Sequence, residues 1–344
     1  MNIIIAILIL GFLIFFHELG HYSVAKFCGI KVNEFSIGFG PKLFGFTKGE
    51  TLYAIRAIPM GGFVKMEGED KESDDERAFS NKPTWQKFLV VVAGAFMNLL
   101  LGFILMLILV LNTSKITDMI IEKFADGAVS SSYGLKEGDK ILKIDKYSLK
   151  TISDLNYILI EVSDRGVNVI VERNNEKITL ENVHFSVIED KESGIKIANI
   201  DFKFGQKDIT FLNALRYSFD SVISDIKSVW ITLAGLIKGK YSLKVMSGPI
   251  QITETMATMS SQGFIPLMRF VILITVNWGV INLFPLPALD GGRILFLLIE
   301  MIRRKPLKQE WEGYIHLIGF ALLILLSIYV IYNDILRIIQ RYIN

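Results

Sequence analysis

Long apolar runs alternate with polar stretches along the chain, and the length of each run predicts the element that it forms. About 20 consecutive apolar residues are enough for a helix to cross the roughly 30 Å hydrocarbon core of a bilayer. Four runs meet this condition, at residues 3–27, 85–111, 264–284 and 314–332. The pattern therefore predicts a polytopic α-helical membrane protein with four transmembrane helices.

The stretch from residue 28 to residue 84 is too polar to span a membrane, yet it contains strand-like runs. These runs, at residues 35–41, 51–58 and 59–66, are interrupted by glycines, which often mark the close approach of another backbone. We predict a membrane-associated β-hairpin region whose edge could bind an extended peptide by strand addition. A hairpin that only caps the helices is the alternative.

The composition becomes that of a soluble domain between residues 115 and 205. Apolar and polar residues alternate with the period of a strand at residues 141–145 and 167–171, and a run with helical spacing lies between them. The turn and strand at residues 133–145 resemble the signature of PDZ domains, which bind peptide ends or strands along a sheet edge. We therefore expect one inserted PDZ-like α/β domain.

The rest of the chain divides by the same pattern. Residues 206–262 begin with apolar side chains at helical spacing, which predicts an amphipathic helix against the membrane face or the helix bundle, followed by a linker. Residues 263–300 contain the third transmembrane helix, 301–313 form a short loop, and 314–344 hold the fourth helix and the tail.

Basic residues in the loop between the third and fourth helices predict the orientation. These residues are Arg303, Arg304, Lys305 and Lys308. Short loops rich in lysine and arginine lie on the cytoplasmic side of a membrane. We therefore expect a protein of the bacterial cytoplasmic (inner) membrane with residues 28–84 inside and the PDZ-like domain outside.

Composition excludes several other classes of protein. Hydrophobic residues make up 51% of the 344 residues and the mean hydropathy is +0.43, too apolar for an ordinary soluble protein. Lysine and arginine number 37 against 35 acidic residues, so no nucleic-acid binding is indicated. The single cysteine, Cys28, excludes an intramolecular disulfide. The N-terminus lacks a basic region and a clear cleavage site, which favours a retained helix over a signal peptide.

The first apolar run ends in a motif that introduces metal chemistry. His17, Glu18 and His21 form an H-E-x-x-H pattern, and residues four apart share one face of a helix. The two histidines can bind one zinc ion while Glu18 acts as general base. A pair of packed structural histidines is the alternative, but ionisable residues inside a membrane segment are usually functional.

A catalytic zinc site normally has three protein ligands, so the motif requires one more. Asp290 is the candidate, because Pro285 and Pro287 break the third helix just before it. The first and third helices run in the same direction, which brings Asp290 to the depth of the histidines. An ordinary helix cap is the alternative role for Asp290.

At this point the chain resembles a known family over nearly its whole length. The H-E-x-x-H motif, the run at residues 58–69 and the stretch 282–292 are similar to bacterial site-2 proteases of the RseP type, the RIP zinc metalloproteases. The resemblance implies that residues 38–40 belong to a β-hairpin near the active site and that Asn282 helps to hold the substrate. The predicted substrate-binding residues are Gly38, Phe39, Gly40, Asn282 and Pro285.

The sequence therefore predicts an intramembrane metalloprotease with one Zn²⁺ per chain. The expected partners are the lipid bilayer, peptide ends at the PDZ-like domain and a single-pass membrane substrate already cut on the outside. An anti-sigma factor, a signal-peptide remnant or another membrane regulator would serve as this substrate. A non-catalytic PDZ-bearing scaffold and a metal transporter are the alternatives. The scaffold would be expected to lose Glu18 or a ligand, and the transporter would need a polar route through the membrane.

Overall fold

Two compact units divide the chain, one formed by Met1–Gly102 with Met246–Asn344 and the other by Phe103–Val245. The computed structural model describes residues 2–69, 71, 73–163, 165–189, 196–243, 246–305 and 309–343. Lys308 of the predicted basic loop lies outside the described residues. In chain order the elements are α1 Asn2–Phe27, β1 Val32–Lys48, β2 Thr51–Met66, α2 Thr84–Leu111, β3 Lys115–Phe124, β4 Lys140–Ile144, β5 Tyr147–Ser148, α3 Ile152–Glu161, β6 Val167–Arg173, β7 Glu176–Val183, β8 Ser186–Glu189, β9 Lys196–Asn199, β10 Phe202–Asp208, α4 Phe211–Ile237, α5 Pro249–Gln262, α6 Phe264–Asn282, α7 Asp290–Arg303 and α8 Gln309–Ile343.

Four helices of the described residues are long and apolar enough to cross a membrane, as the sequence predicts. These stretches are Ile4–Phe27, Thr84–Leu111, Phe264–Asn282 and Gly313–Gln340. Two boundaries differ from the prediction. Helix α6 ends at Asn282 and not at residue 284, and the fourth apolar stretch extends to Gln340, past the predicted end at residue 332. Beyond α6, a turn that contains Pro285 leads into the separate helix α7.

Glycines bring the helices of the first unit into close contact. A Cβ atom built on Gly20 of α1 would lie 2.8 Å from Met97 Cγ of α2. A Cβ on Gly279 of α6 would lie 2.9 Å from Leu99 Cδ2, also on α2. Small residues allow membrane helices to approach this closely, and the gain is van der Waals contact along the interface. Helix α2 therefore packs against both α1 and α6.

A buried carboxylate of α8 caps the start of α5. Asp334 is almost fully buried, and its two oxygens accept hydrogen bonds from the backbone N–H groups of Gly248 and Gln251, both at 3.1 Å. The first N–H groups of a helix have no partner within the helix, and a negative charge there also complements the helix dipole. This cap links α5 to α8.

Strands β1 and β2 form a sheet in which part of β1 is paired along both edges. Phe35 is the register partner of Tyr53 and also of Val64, whereas the end of β1 pairs with the start of β2 through Phe46 and Tyr53. Both edges of residues 34–37 are therefore occupied by β2 itself. The buried side of this sheet packs on the end of α1 through Ala25 and its neighbours.

The second unit is an α/β structure built on one sheet. Its strand order is β10-β3-β4-β6-β7, with β5 paired to β4, and β8 and β9 form a separate two-stranded sheet. The core contains Ile121, Ile141, Ile158 and Val169, all almost fully buried. The strands predicted at residues 141–145 and 167–171 correspond to β4 and β6, and the helical run between them corresponds to α3.

Helix α4 packs within this second unit. Val222 and Val229 of the predicted apolar stripe are buried, whereas Phe219 of the same stripe is exposed. Small and polar residues are buried beside the two valines, including Ser224. Ser224 donates a hydrogen bond to Asp154 at the start of α3, at 2.6 Å. This hydrogen bond links the buried side of α4 to α3.

We expect Asp154→Ala to destabilise the second unit by about 3 kcal/mol, because several charge-assisted hydrogen bonds are lost together. The Asp154 carboxylate accepts from Thr151 N–H, Tyr157 Oη and Ser224 Oγ. Burial and this carboxylate also raise the pKa of the Tyr157 hydroxyl, which keeps it a hydrogen-bond donor. Hydrogen exchange of α3 and α4 in the full-length protein would measure the loss. The exposed Asp126→Ala is the matched control, and equal protection in both variants would contradict the prediction.

Candidate metal centre

Helix α1 places the two histidines of the H-E-x-x-H motif side by side. His17 Nε2 and His21 Nε2 are 3.3 Å apart, as expected for residues one helical turn apart on the same face. Asp290, the first residue of α7, brings its Oδ2 atom to 3.4 Å from each of these nitrogens. The structure therefore brings the three predicted ligands together.

The turn between α6 and α7 positions Asp290. Ala288 adopts a positive φ of 70° in this turn, and its N–H donates to His316 Nδ1 of α8 at 3.0 Å. The turn folds back so closely that a Cβ on Gly292 would lie 3.1 Å from Pro287 Cα, and a Cβ on Gly291 would overlap the Phe284 backbone. The two glycines after Asp290 are therefore required for the turn. A cavity of about 500 Å³ lies beside Asp290 and is large enough for water.

The three side chains fit a metal ion. Their ligand atoms all lie within 4.8 Å of one another, so one cation can reach all three. Among the described residues, Asp290 Oδ2 is a buried oxygen with no hydrogen-bond partner, which is costly unless a cation or donor satisfies it. Two imidazoles and one carboxylate are a donor set that catalytic zinc uses, with a fourth position open for water.

Helix α2 packs against the two imidazoles and contributes the groups that contact their Nδ1 atoms. His21 Nδ1 donates to the Val90 carbonyl oxygen at 2.8 Å, and Asn98 Nδ2 lies 3.3 Å from His17 Nδ1. Gly94 lies between these two residues on the same helix face, and a Cβ there would overlap both imidazole rings. The small residues around Gly94 and the amide of Asn98 predict a helix interface from the sequence, but they do not indicate the histidines as the partners. The spacing of four residues from Val90 to Gly94 to Asn98 is the same as that of the histidines.

Glu18 contacts strand β2. A Cβ built on Gly62 would lie 2.9 Å from Glu18 Cγ and also 2.9 Å from the Ser36 carbonyl oxygen. Only a glycine therefore allows the strand to pass between Glu18 and β1. A half-buried carboxylate beside a strand and two imidazoles is in a suitable environment for proton transfer.

The predicted substrate-binding residues lie in two separate places. Gly38 and Gly40 adopt positive φ angles of 86° and 81° in β1, and the Phe39 ring stacks on Phe63 with centroids 6.2 Å apart. Gly62, rather than these three residues, is the part of the sheet that meets Glu18. Asn282 is the last residue of α6, and Pro285 lies exposed in the turn that leads to Asp290.

An ion pair that sequence reasoning missed joins the sheet region to α7. Arg293 pairs with Glu69, which follows the end of β2. Arg293 lies on the first turn of α7, so this contact holds the helix that begins with Asp290 against the sheet region whose Gly62 meets Glu18. No local pattern marks such a pair, because its members lie far apart in sequence.

Comparisons with known proteins match the chain over nearly its whole length. A family model described as Peptidase family M50 matches residues 5–326. A proposed zinc metalloprotease of Clostridium acetobutylicum is 37% identical, and the alignment covers 97% of this chain and 97% of the relative. The regulator of sigma-W protease RasP of Bacillus subtilis is 30% identical, covering 98% of this chain and 99% of the relative. The zinc metalloprotease RasP of Bacillus licheniformis has the same identity and coverage.

We expect Gly94→Ala to weaken zinc binding by about 10-fold to 100-fold, the range seen when the surroundings of metal ligands are disturbed. The added methyl group would displace both imidazoles from the positions that they share with Asp290. Chelator competition on the purified protein would measure the change. Gly11→Ala is the matched control on α1, because a Cβ there meets no atom within 4 Å. Equal zinc affinity in the two variants would contradict the prediction.

Proposed function

Because the chain belongs to peptidase family M50 and is a zinc metalloprotease of the site-2 type, we propose that it hydrolyses a peptide bond in or near the transmembrane segment of a single-pass membrane protein. The observation that carries this proposal is the cluster of His17, His21 and Asp290 on helices that adjoin membrane-length segments. An ordinary soluble substrate would not bring its peptide bond to such a site.

Each residue of the centre has a role in this reaction. His17, His21 and Asp290 hold the zinc ion, and Glu18 removes a proton from the attacking water and then delivers it to the leaving amine. A zinc ion held by these ligands supplies Lewis acidity, which makes a water molecule reactive near neutral pH. The contact of β2 with Glu18 restricts the carboxylate to the side of the metal centre.

The substrate has to be extended before it is cut. A helix uses its backbone carbonyls in its own hydrogen bonds, so a transmembrane helix hides the bonds that a protease must reach. We assign the binding of the unwound segment to the β1–β2 sheet, through strand addition near the metal centre. Gly38, Phe39 and Gly40 shape this sheet. Asn282, at the end of α6, and Pro285, in the turn before Asp290, contact the substrate in this proposal.

The second unit acts in this proposal as a filter for substrates. Its sequence signature is PDZ-like, and the sheet presents outer strands of the kind to which peptides add. Arg303 and Arg304 near the start of the loop after α7 support an inside location for that loop. By the alternation of the four spans, the PDZ-like unit then lies outside and the zinc site near the cytoplasmic side of the bacterial inner membrane.

The name of one relative supports a class of substrate. The Bacillus subtilis relative is named regulator of sigma-W protease RasP. We propose that this chain likewise cleaves a membrane-bound regulator, such as an anti-sigma factor, after another protease has removed its outer part. A remnant signal peptide is a shorter substrate with the same chemistry.

We expect Glu18→Gln to abolish cleavage and to retain zinc. The amide keeps the size of the side chain but cannot take a proton, and general base catalysis contributes about 10²-fold to 10⁴-fold in rate. Purified wild type and variant would be incubated with a panel of single-span substrates, anti-sigma and signal-peptide segments included. Metal content would be measured on the same samples. The exposed Glu176→Gln is the control, and cleavage by Glu18→Gln at the wild-type rate would remove the assignment of the base.

We expect Asp290→Ala to lose stoichiometric zinc, because two imidazoles alone leave the site without its charged ligand. Zinc content after dialysis against a weak chelator would be compared with that of the wild type. Asp74→Ala, which removes an exposed carboxylate of the same unit, should keep its zinc. Full zinc occupancy in Asp290→Ala would mean that another residue is the third ligand.

A further inference from the structure

The imidazoles of His17 and His21 differ in the group that contacts Nδ1, the ring nitrogen that does not face Asp290. His21 Nδ1 meets a backbone carbonyl oxygen, that of Val90, which can only accept a hydrogen bond. The proton of His21 is therefore on Nδ1, and Nε2 is left with a lone pair for a metal. A backbone carbonyl supplies this contact whatever residue occupies position 90.

His17 depends on a side chain instead. Its Nδ1 lies 3.3 Å from the amide nitrogen Nδ2 of Asn98. Asn98 is fully buried, and among the described residues its oxygen Oδ1 has no hydrogen-bond partner. A buried amide oxygen without a donor is unfavourable, because it has lost its hydrogen bonds to water.

The requirement of a metal on His17 Nε2 conflicts with this orientation of the amide. A neutral imidazole that uses Nε2 as a ligand carries its proton on Nδ1. Nδ1–H and the Asn98 NH₂ group would then face each other as two donors. Rotating the carboxamide by 180° exchanges its oxygen and nitrogen in nearly the same volume. The unpartnered oxygen would then accept from His17 Nδ1–H.

We propose that Asn98 is a positioning residue for the zinc site, and that its carboxamide oxygen accepts the hydrogen bond that holds His17 in the zinc-binding tautomer. The proposal rests on the ligand assignment of the proposed function. It adds the face of α2 that carries Val90, Gly94 and Asn98 as the support of both histidines. Metal-bound histidines generally donate their other N–H to such an acceptor, and its loss costs 10-fold to 100-fold in metal affinity.

Asn98 also lies at the interface between α2 and α6, but the hydrogen bond across this interface uses its backbone and not its side chain. Thr275 Oγ1 of α6 donates to the Asn98 backbone carbonyl oxygen at 3.3 Å. A role in helix packing therefore predicts sensitivity to Thr275, whereas a role in positioning predicts sensitivity to the chemistry of the side chain at position 98. The two roles give different results in one set of variants.

The test measures zinc affinity of the full-length protein by chelator competition for wild type, Asn98→Leu, Asn98→Asp and Thr275→Val. Leucine keeps the volume without an acceptor and should weaken zinc binding by about 10-fold to 100-fold. Aspartate has two acceptor oxygens and no donor, and it should bind zinc as tightly as wild type or more tightly. Thr275→Val should match wild type.

Three results would overturn the proposal while wild type still binds zinc. They are wild-type affinity in Asn98→Leu, equal losses in the leucine and aspartate variants, and a loss in Thr275→Val as large as that in Asn98→Leu. The second would mean that the amide acts as a donor or by its shape. Wild type without stoichiometric zinc would overturn the ligand assignment of the proposed function, and this proposal with it.

Discussion

The convergence of two imidazoles and one carboxylate on a single point is the constraint on which the rest of the first unit depends. An ionised carboxylate is costly to bury unless a charge or several donors compensate it. Asp290 Oδ2 has no hydrogen-bond donor among the described residues and lies equally close to His17 and His21. A cation shared by the three side chains would remove this cost, so the proposed metal would stabilise the arrangement that binds it. The turn before α7 and the contact of α8 through His316 serve to keep Asp290 at that point.

Close packing of α2 is the second condition. Val90 and Asn98 reach the histidines because nothing larger than glycine stands at position 94. Glycine usually weakens a helix by about 1 kcal/mol relative to alanine. Here glycine permits the close approach of α2 to both imidazoles, which in the proposed metal site would orient the ligands before a substrate binds. Gly20 on α1 has the same effect from the other side of the interface.

Much of the site could be predicted because its signals are local or depend on membrane depth. The spacing of His17 and His21 is a property of one helix, and the direction of the spans brings Asp290 to the same depth. The contact between Asn98 and His17 is not local, and a single amide in an apolar helix gives no hint of the residue that it faces. The hydrogen bond between α4 and α3 is not local either. Ser224 is buried and donates to Asp154, but neither residue indicates the other in the sequence.

The position of β2 beside Glu18 connects the fold to the kind of bond that the enzyme can cut. The strand approaches Glu18, the proposed base, so closely that a side chain at Gly62 would collide with it and with the Ser36 carbonyl oxygen. Residues 34–37 already pair with β2 on both edges, so a further strand cannot join the sheet there. The segment around Gly62 pairs with β1 along one edge, and no strand of the described residues pairs with its other edge. A peptide that adds to this edge would lie extended beside Glu18, whereas a helix is about 10 Å wide and exposes no backbone carbonyl for attack. Under the proposed function the sheet would select for an unwound substrate, and the ease of unwinding a transmembrane segment would become a determinant of cleavage.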